Sequence, residues 1–85
     1  MARVTIRYCV PCRYLRKAVE DAEAILAAYG LRLESLDLVP GDHGVYDVVV
    51  DGRVVFSIDQ EMRFPQTQEL IDRIRPFVSG AAKPS

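Results

Sequence analysis

Val4-Thr5-Ile6-Arg7-Tyr8 alternates apolar and polar positions and is rich in β-branched residues, the period-two pattern of a half-buried strand. The period changes after Pro11. Leu15, Ala18, Val19, Ala22, Ile25, Leu26 and Tyr29 recur at helical spacing as one apolar stripe, and Gly30 supplies a stop just past it. Pro11 fits the first turn of this helix, where its missing N–H costs nothing, and it pushes Val10 away from helical dihedrals. Leu31 to Val39 reads as a second strand. Within it Leu31 and Leu33 share one parity and Leu36 and Leu38 the other, so a bulge or twist near Ser35 is expected. Pro40-Gly41-Asp42-His43-Gly44 is a loop. Val45 to Val50 and Arg53 to Ile58 are strands joined by Asp51-Gly52, a pair that tolerates the positive φ of a tight hairpin turn. Asp59 to Phe64 is a polar loop. A last helix starts near Pro65 to Thr67 and carries Leu70, Ile71, Ile74, Phe77 and Val78 inward; Pro76 predicts a kink or an end around Arg75.

The predicted order is β-α-β-β-β-α, an α/β fold. Strand–helix–strand at the start implies a parallel pair with a right-handed crossover, and the hairpin adds an antiparallel pair. Two helical stripes then cover one face of a mixed four-stranded sheet in a two-layer sandwich. The 85 residues make one domain over residues 1–78, and Ser79 to Ser85 is small and polar and reads as a flexible C-terminal tail. No internal repeat or low-complexity block appears.

Composition narrows the function classes. About half the residues are apolar, too many for a disordered chain, yet no run approaches the roughly 20 residues that span a bilayer. No long apolar segment follows Arg3 and Arg7, so no secretory leader is expected and the chain reads as cytoplasmic, without a membrane partner. A net charge of −1 argues against nucleic acid as a partner. The charge is unevenly placed. Arg3, Arg7, Arg13, Arg16 and Lys17 all precede the first acid, Glu20, whereas from Glu20 to Asp51 eight acids face only Arg32.

The two cysteines both lie in that basic segment, as Cys9-Val10-Pro11-Cys12. A disulfide-stapled secreted domain carries more cysteines than this. A redox dithiol needs one activated thiolate and a second sulfur within reach, and Cys-x-x-Cys at a helix start supplies both: free N–H groups and the helix dipole favour the anion, and Pro11 stiffens the turn. Arg13 adds adjacent positive charge. Cys9 and Cys12 are therefore the candidate catalytic pair, with Pro11 and Arg13 in support. A helix N-terminus favours Cys9 as the attacking sulfur and Cys12 as the resolving one. The same pair also fits half of a zinc site, which would need His43 and a second copy to approach four ligands, or two inert core cysteines. No metal and no cofactor are expected. His43, in its Gly-rich loop, reads as solvated, and Tyr8 and Tyr14 as packing residues flanking the motif.

Tyr8-Cys9-Val10-Pro11-Cys12-Arg13-Tyr14 resembles the Tyr-Cys-x-x-Cys-Arg-aromatic start of bacterial, cysteine-containing members of the selenoprotein W-like (Rdx) family. Val39-Pro40-Gly41 followed by Gly44-Val45-Tyr46-Asp47-Val48 is similar to that family's loop and Gly-x-Phe-Glu-Val strand; Asp51-Gly52, Phe64-Pro65 and Glu69-Leu70 fall where it has its hairpin and helix entry. The resemblance spans about residues 3–78. It implies a thioredoxin-like fold with the same element order and thiol-based redox work in cell redox homeostasis, with glutathione as a co-substrate. In animal relatives selenocysteine occupies the position of Cys12, which implies the opposite attacking order from the one the helix start favours. Two departures stand out: Gln60-Glu61-Met62-Arg63 lacks the family's usual glycine, and His43-Gly44-Val45-Tyr46 lacks the proline that thioredoxins place before their third strand.

Two functions are carried forward. In one, Cys9 and Cys12 cycle between dithiol and disulfide with glutathione or a protein thiol as partner. In the other, the disulfide switches a protein-binding surface without turnover. Both parities along Val45 to Val50 and Arg53 to Ile58 are largely apolar, so a homodimer through the sheet is also expected.

Overall fold

The computed structural model describes residues 2–82, and residues 83–85 of the expected tail lie outside them. Strand β1 (Ala2–Cys9) is followed by helix α1 (Leu15–Tyr29), a single turn of tighter helix (Gly30–Arg32), β2 (Leu33–Gly41), β3 (Tyr46–Val50), β4 (Arg53–Ser57), a one-turn helix α2 (Ile58–Glu61) and helix α3 (Thr67–Ala82). The strands form one sheet in the order β2-β1-β3-β4, with β1 and β2 parallel and the remaining pairs antiparallel. The expected α/β order and mixed sheet are those observed.

One face of the sheet carries Val4, Ile6, Tyr46, Val48, Val50 and Phe56 into the core. Helices α1 and α3 cover it with Ala18, Ala22, Ile25, Tyr29, Leu70, Ile74 and Val78. The Tyr29 hydroxyl donates to the Ile71 carbonyl and ties the end of α1 to α3. The other face is open. The register places Arg3, Thr5, Arg7, Asp37 and Asp47 on it, with Val39, Val49 and Val54 as its apolar positions. A self-dimer through this face would cover charged groups along with three valines.

The two parities in the second strand are reconciled by one bulged residue. Ala2 pairs with Leu33 but Arg3 pairs with Ser35, so Glu34 is the extra residue and Leu36 and Leu38 return to the core side. A second bulge at Val55 explains the mixed pattern of β4: Val48 faces Phe56, whereas Val49 faces Val54. Leu31 falls in the tight turn before β2 and is 95% exposed, outside the strand expected to contain it.

Three expectations need correction. Helix α1 starts at Leu15 and not at Pro11, because Arg13 sits at φ 65°, a left-handed conformation that no right-handed helix continues through. The stripe on α1 is also rotated: Asp21 is fully buried, while Leu15, Val19 and Leu26 remain 46–50% exposed. Finally, α3 runs through Pro76 to Ala82, so the helix does not end at Arg75. Pro76 and Asp72 are both on the exposed side of α3, where water can satisfy the carbonyl that Pro76 leaves without a donor. Leu70, Ile74 and Val78 hold the helix to the sheet on both sides of the proline.

Replacing this residue restores the missing donor. Pro76→Ala is expected to raise stability by about 1–3 kcal/mol, read as the midpoint of urea unfolding. A lowered midpoint would show that the fixed φ of proline contributes more than the lost hydrogen bond costs.

Candidate redox site

The cysteine loop is built from the end of β1. Cys9, its last residue, pairs with Gly41 at the end of β2. The Val10 N–H then donates to the Gly41 carbonyl at 2.9 Å. The side chains of Val45 and Arg7 close over Gly41: a Cβ there would lie 2.9 Å from Val45 Cγ1 and 3.0 Å from Arg7 Nε. The Arg13 N–H donates to the Val10 carbonyl at 3.0 Å and closes a turn with Pro11 in its second position, where a φ fixed near −65° is preferred. The Tyr14 N–H reaches back to the Cys9 carbonyl at 3.2 Å. The left-handed Arg13 costs about 1–2 kcal/mol of backbone strain and lets the chain reverse before α1 begins.

This turn sets the Cys9 and Cys12 Cα atoms 5.3 Å apart, and their sulfurs are joined as a disulfide. The two cysteines differ sharply in access. Cys9 is fully buried, held under the turn by strand pairing, whereas Cys12 is exposed. The helix N-terminus expected to favour Cys9 is therefore not at Cys9. Both cysteines lie before the helix, and the exposed one is the second.

Cys12 opens onto a shallow groove of about 360 Å³ lined by Arg13, Tyr14, Arg16, Lys17, Glu20 and Phe64. The basic residues after the motif thus gather beside the exposed sulfur. Arg3 and Arg7, equally basic in the sequence, do not; Arg3 pairs with Glu34 at the other end of β1. Phe64 forms the far wall, with its ring edge-on to Tyr14 at 4.8 Å and to Tyr46 at 5.7 Å between centroids. Its loop is held by charge. Arg63 makes two hydrogen bonds of 2.8 Å to Glu69, and Arg73 links Glu69 to Glu61. Glu69 also accepts the Gln66 N–H at the start of α3, half of a capping box. The Arg63 guanidinium beside it lowers the Glu69 carboxyl from 4.5 to about 2, and Arg73 likewise holds Glu61 below its ordinary value.

Asp21 was not foreseen. Its buried carboxylate accepts from Tyr46 Oη at 2.5 Å, Thr67 Oγ1 at 2.8 Å and Lys17 Nζ at 2.9 Å. Burial, then the hydrogen bond to Asp21, pushes the Tyr46 hydroxyl well above the ordinary range, so it stays a donor. The available signal was position: Asp21 falls between Ala18, Ala22 and Ile25 on the inward stripe, where a lone acid needs partners. Tyr14 packs against Tyr46 as expected of a packing residue.

His43 stands apart from the cysteines. Its side chain is 91% exposed and contacts Asp42 at 2.7 Å, which raises the imidazole pKa and lowers that of Asp42. It lines a second groove with Asp42, Asp47, Ser57, Asp59 and Met62. Among the described residues no group of three or more His, Cys, Asp and Glu side chains could hold a metal ion. No described helix is long and apolar enough to cross a membrane.

The Rdx family pattern matches residues 3–76, most of the chain and all of this site. The chain belongs to the Rdx family. This Rdx chain is 32% identical over 79 residues to the Bos taurus protein "Migration and invasion enhancer 1" and 30% identical over 78 residues to its Mus musculus counterpart. Those matches take in 92% and 91% of the chain but only 66% and 65% of the two longer relatives. A crystal structure from Bordetella parapertussis superposes with TM-score 0.87 at 30% identity, covering 89% of this chain and 96% of that one. A selenoprotein W-related protein from Vibrio cholerae superposes with TM-score 0.88 at 23% identity, covering 92% and 98%, a likeness of fold. The Rdx chain therefore has the thioredoxin-like fold of selenoprotein W-related proteins.

Two outcomes follow from the site's supports. Asp21→Ala leaves the buried Tyr46 hydroxyl without its acceptor and is expected to cost about 3 kcal/mol or more in chemical unfolding; Asp21→Asn, which keeps an acceptor oxygen, should cost less. A depressed carboxyl stabilises the fold above its ordinary pKa and loses that contribution as pH falls towards the folded value. The thermal midpoint should therefore fall between pH 4.5 and about 2, and Glu69→Gln should flatten that part of the profile. An unchanged profile in Glu69→Gln would show that other carboxylates govern acid unfolding.

Proposed function

We propose that this chain is a thiol–disulfide exchange protein in which Cys12 attacks, Cys9 resolves, and glutathione is the co-substrate. The observation that carries the reading is the contrast in access: the motif offers one sulfur to solvent and keeps the other beneath the turn. Membership of the Rdx family supports the redox use of the pair, and the cytoplasm, where glutathione buffers thiols, is the setting proposed for it. The expected role is redox homeostasis.

The chemistry proceeds in two exchanges. The Cys12 thiolate attacks one sulfur of a partner disulfide, forms a mixed disulfide and releases the other partner sulfur as a thiolate. The Cys9 thiolate then attacks the Cys12 sulfur, forms the Cys9–Cys12 bond and releases the second partner thiol. Two electrons pass from the protein dithiol to the partner disulfide, and the protons leave with the two released thiols. The burial of Cys9 keeps it from external disulfides while leaving it within bonding distance of Cys12.

A second reading has its own support. Val10 in the motif, Phe64 on the groove, and Leu15 and Val19 in the first turns of α1 are 41–52% exposed, apolar positions that a partner protein could cover in one redox state. The two readings differ in whether exchange is repeated.

The test equilibrates the reduced protein in graded glutathione buffers, traps thiols by alkylation and reads the species by mass spectrometry. The expected result is an internal disulfide in the parent chain and a glutathione adduct confined to Cys12 in Cys9→Ser. Adduct formation at Cys9 in Cys12→Ser at a comparable rate would reverse the assignment. Thiols that stay reduced in every buffer would remove the redox reading.

A further inference from the structure

We infer that Arg13 and Arg16 make the groove beside Cys12 selective for low-molecular-weight disulfides that carry a carboxylate close to the attacked sulfur. The inference rests on the exchange reading of Cys12 and adds the class of substrate.

Three cations line the groove, but they are not equivalent. Lys17 is held 2.9 Å from the fully buried Asp21 carboxylate, which neutralises it in place and turns it towards the core. Arg13 and Arg16 are exposed, and among the described residues neither makes an ion pair. Arg3, Arg63, Arg73 and Arg75 are each paired with a carboxylate, and Arg7, Arg32 and Arg53, which among the described residues are also without an ion pair, do not line this groove. Glu20, also on the groove, is its one acidic lining residue and offsets part of their charge. A guanidinium presents a planar fork of donors that matches a carboxylate, so two unpaired arginines beside a reactive sulfur form a receptor for such a group.

Shape limits the occupant. The groove of about 360 Å³ lies at the small end of ligand sites, and the Tyr14–Phe64 pair closes one side of it. A small molecule with its sulfur at Cys12 and its carboxylate at the arginines fits that volume; glutathione disulfide is one member of the class. The second groove at the same end of the sheet has the opposite character. Asp42, Asp47 and Asp59 line it against the single His43, so its balance of charge is acidic and disfavours an anionic substrate there.

Nothing in the exchange changes: the carboxylate binds at the arginines while the thiolate, leaving thiol and two electrons follow the balance given above. What changes is the encounter rate. The positive groove raises the local concentration of anionic disulfides and lowers that of cationic ones.

The experiment measures second-order rates of the fully reduced chain with dithiodipropionate, hydroxyethyl disulfide and cystamine, which are anionic, neutral and cationic. Each rate is divided by that of a simple free thiol with the same disulfide, which removes their intrinsic differences. The normalised preference for the anionic over the cationic probe is expected to be roughly ten-fold at low salt and to collapse near ~1 M salt. The double variant Arg13→Gln, Arg16→Gln should reduce it to about two-fold or less, while Arg75→Gln, which removes a charge from α3 outside the groove, should leave it intact. Equal normalised rates for all three probes, with Cys12 still exchanging faster than the free thiol, would overturn this inference and leave the exchange reading standing. A preference that survives in the double variant would also overturn it. Failure to outpace the free thiol with any probe would overturn the exchange reading itself, and this inference with it.

Discussion

The Asp21 carboxylate joins the three elements that frame the redox site. It sits on α1 and accepts from Tyr46 on β3, Thr67 on α3 and Lys17 one turn back on its own helix. A buried charge is tolerated only when it is paired and fully hydrogen-bonded, so these donors have little freedom to move away. The consequence reaches the surface. Tyr46 is fixed by its hydroxyl, Tyr14 and Phe64 pack edge-on against its ring, and those two rings wall the groove onto which Cys12 opens. The same carboxylate takes up the charge of Lys17, so that among the described residues Arg13 and Arg16 are the groove's cations without an ion pair.

A second constraint acts on the backbone. The parallel pairing of β1 with β2 continues to Cys9 and Gly41, and the Val10 N–H bond to Gly41 extends that anchorage by one residue. The chain then reverses within four residues, through Pro11 and the left-handed Arg13, and only afterwards enters α1. Strand pairing therefore buries the first cysteine, and the turn lifts the second into solvent. The difference in access between the two sulfurs arises here from where the sheet ends and not from the start of α1. The loop that carries Phe64 is secured in a different way, by the Arg63–Glu69 and Arg73–Glu61 pairs, and within it Met62 takes the left-handed conformation at φ 61° that glycine adopts most easily.

Much of this was legible along the chain. Alternation in Val4 to Tyr8, the Asp51-Gly52 turn and the stripe ending at Gly30 specify their elements locally, because each depends on contacts or dihedrals a few residues apart. The parity change between Leu33 and Leu36 announced a bulge that the structure places at Glu34. The errors share one cause. The start of α1, the burial of Asp21 and the passage of α3 through Pro76 each depend on partners distant in sequence: β2 for the cysteine turn, Tyr46 and Thr67 for the carboxylate, and the sheet beneath Ile74 and Val78 for the helix.

By itself, then, the sequence determined the order of strands and helices, the spacing that brings Cys9 and Cys12 within reach of one another and the basic character of the segment around them, since spacing and periodicity are properties of neighbouring residues. Tertiary structure decided which cysteine faces solvent, which of the groove's cations is held by a buried carboxylate and which aromatic rings close the groove. Those outcomes depend on burial and on partners brought together from α1, β3 and the loop before α3, and no pattern confined to one segment carries that information.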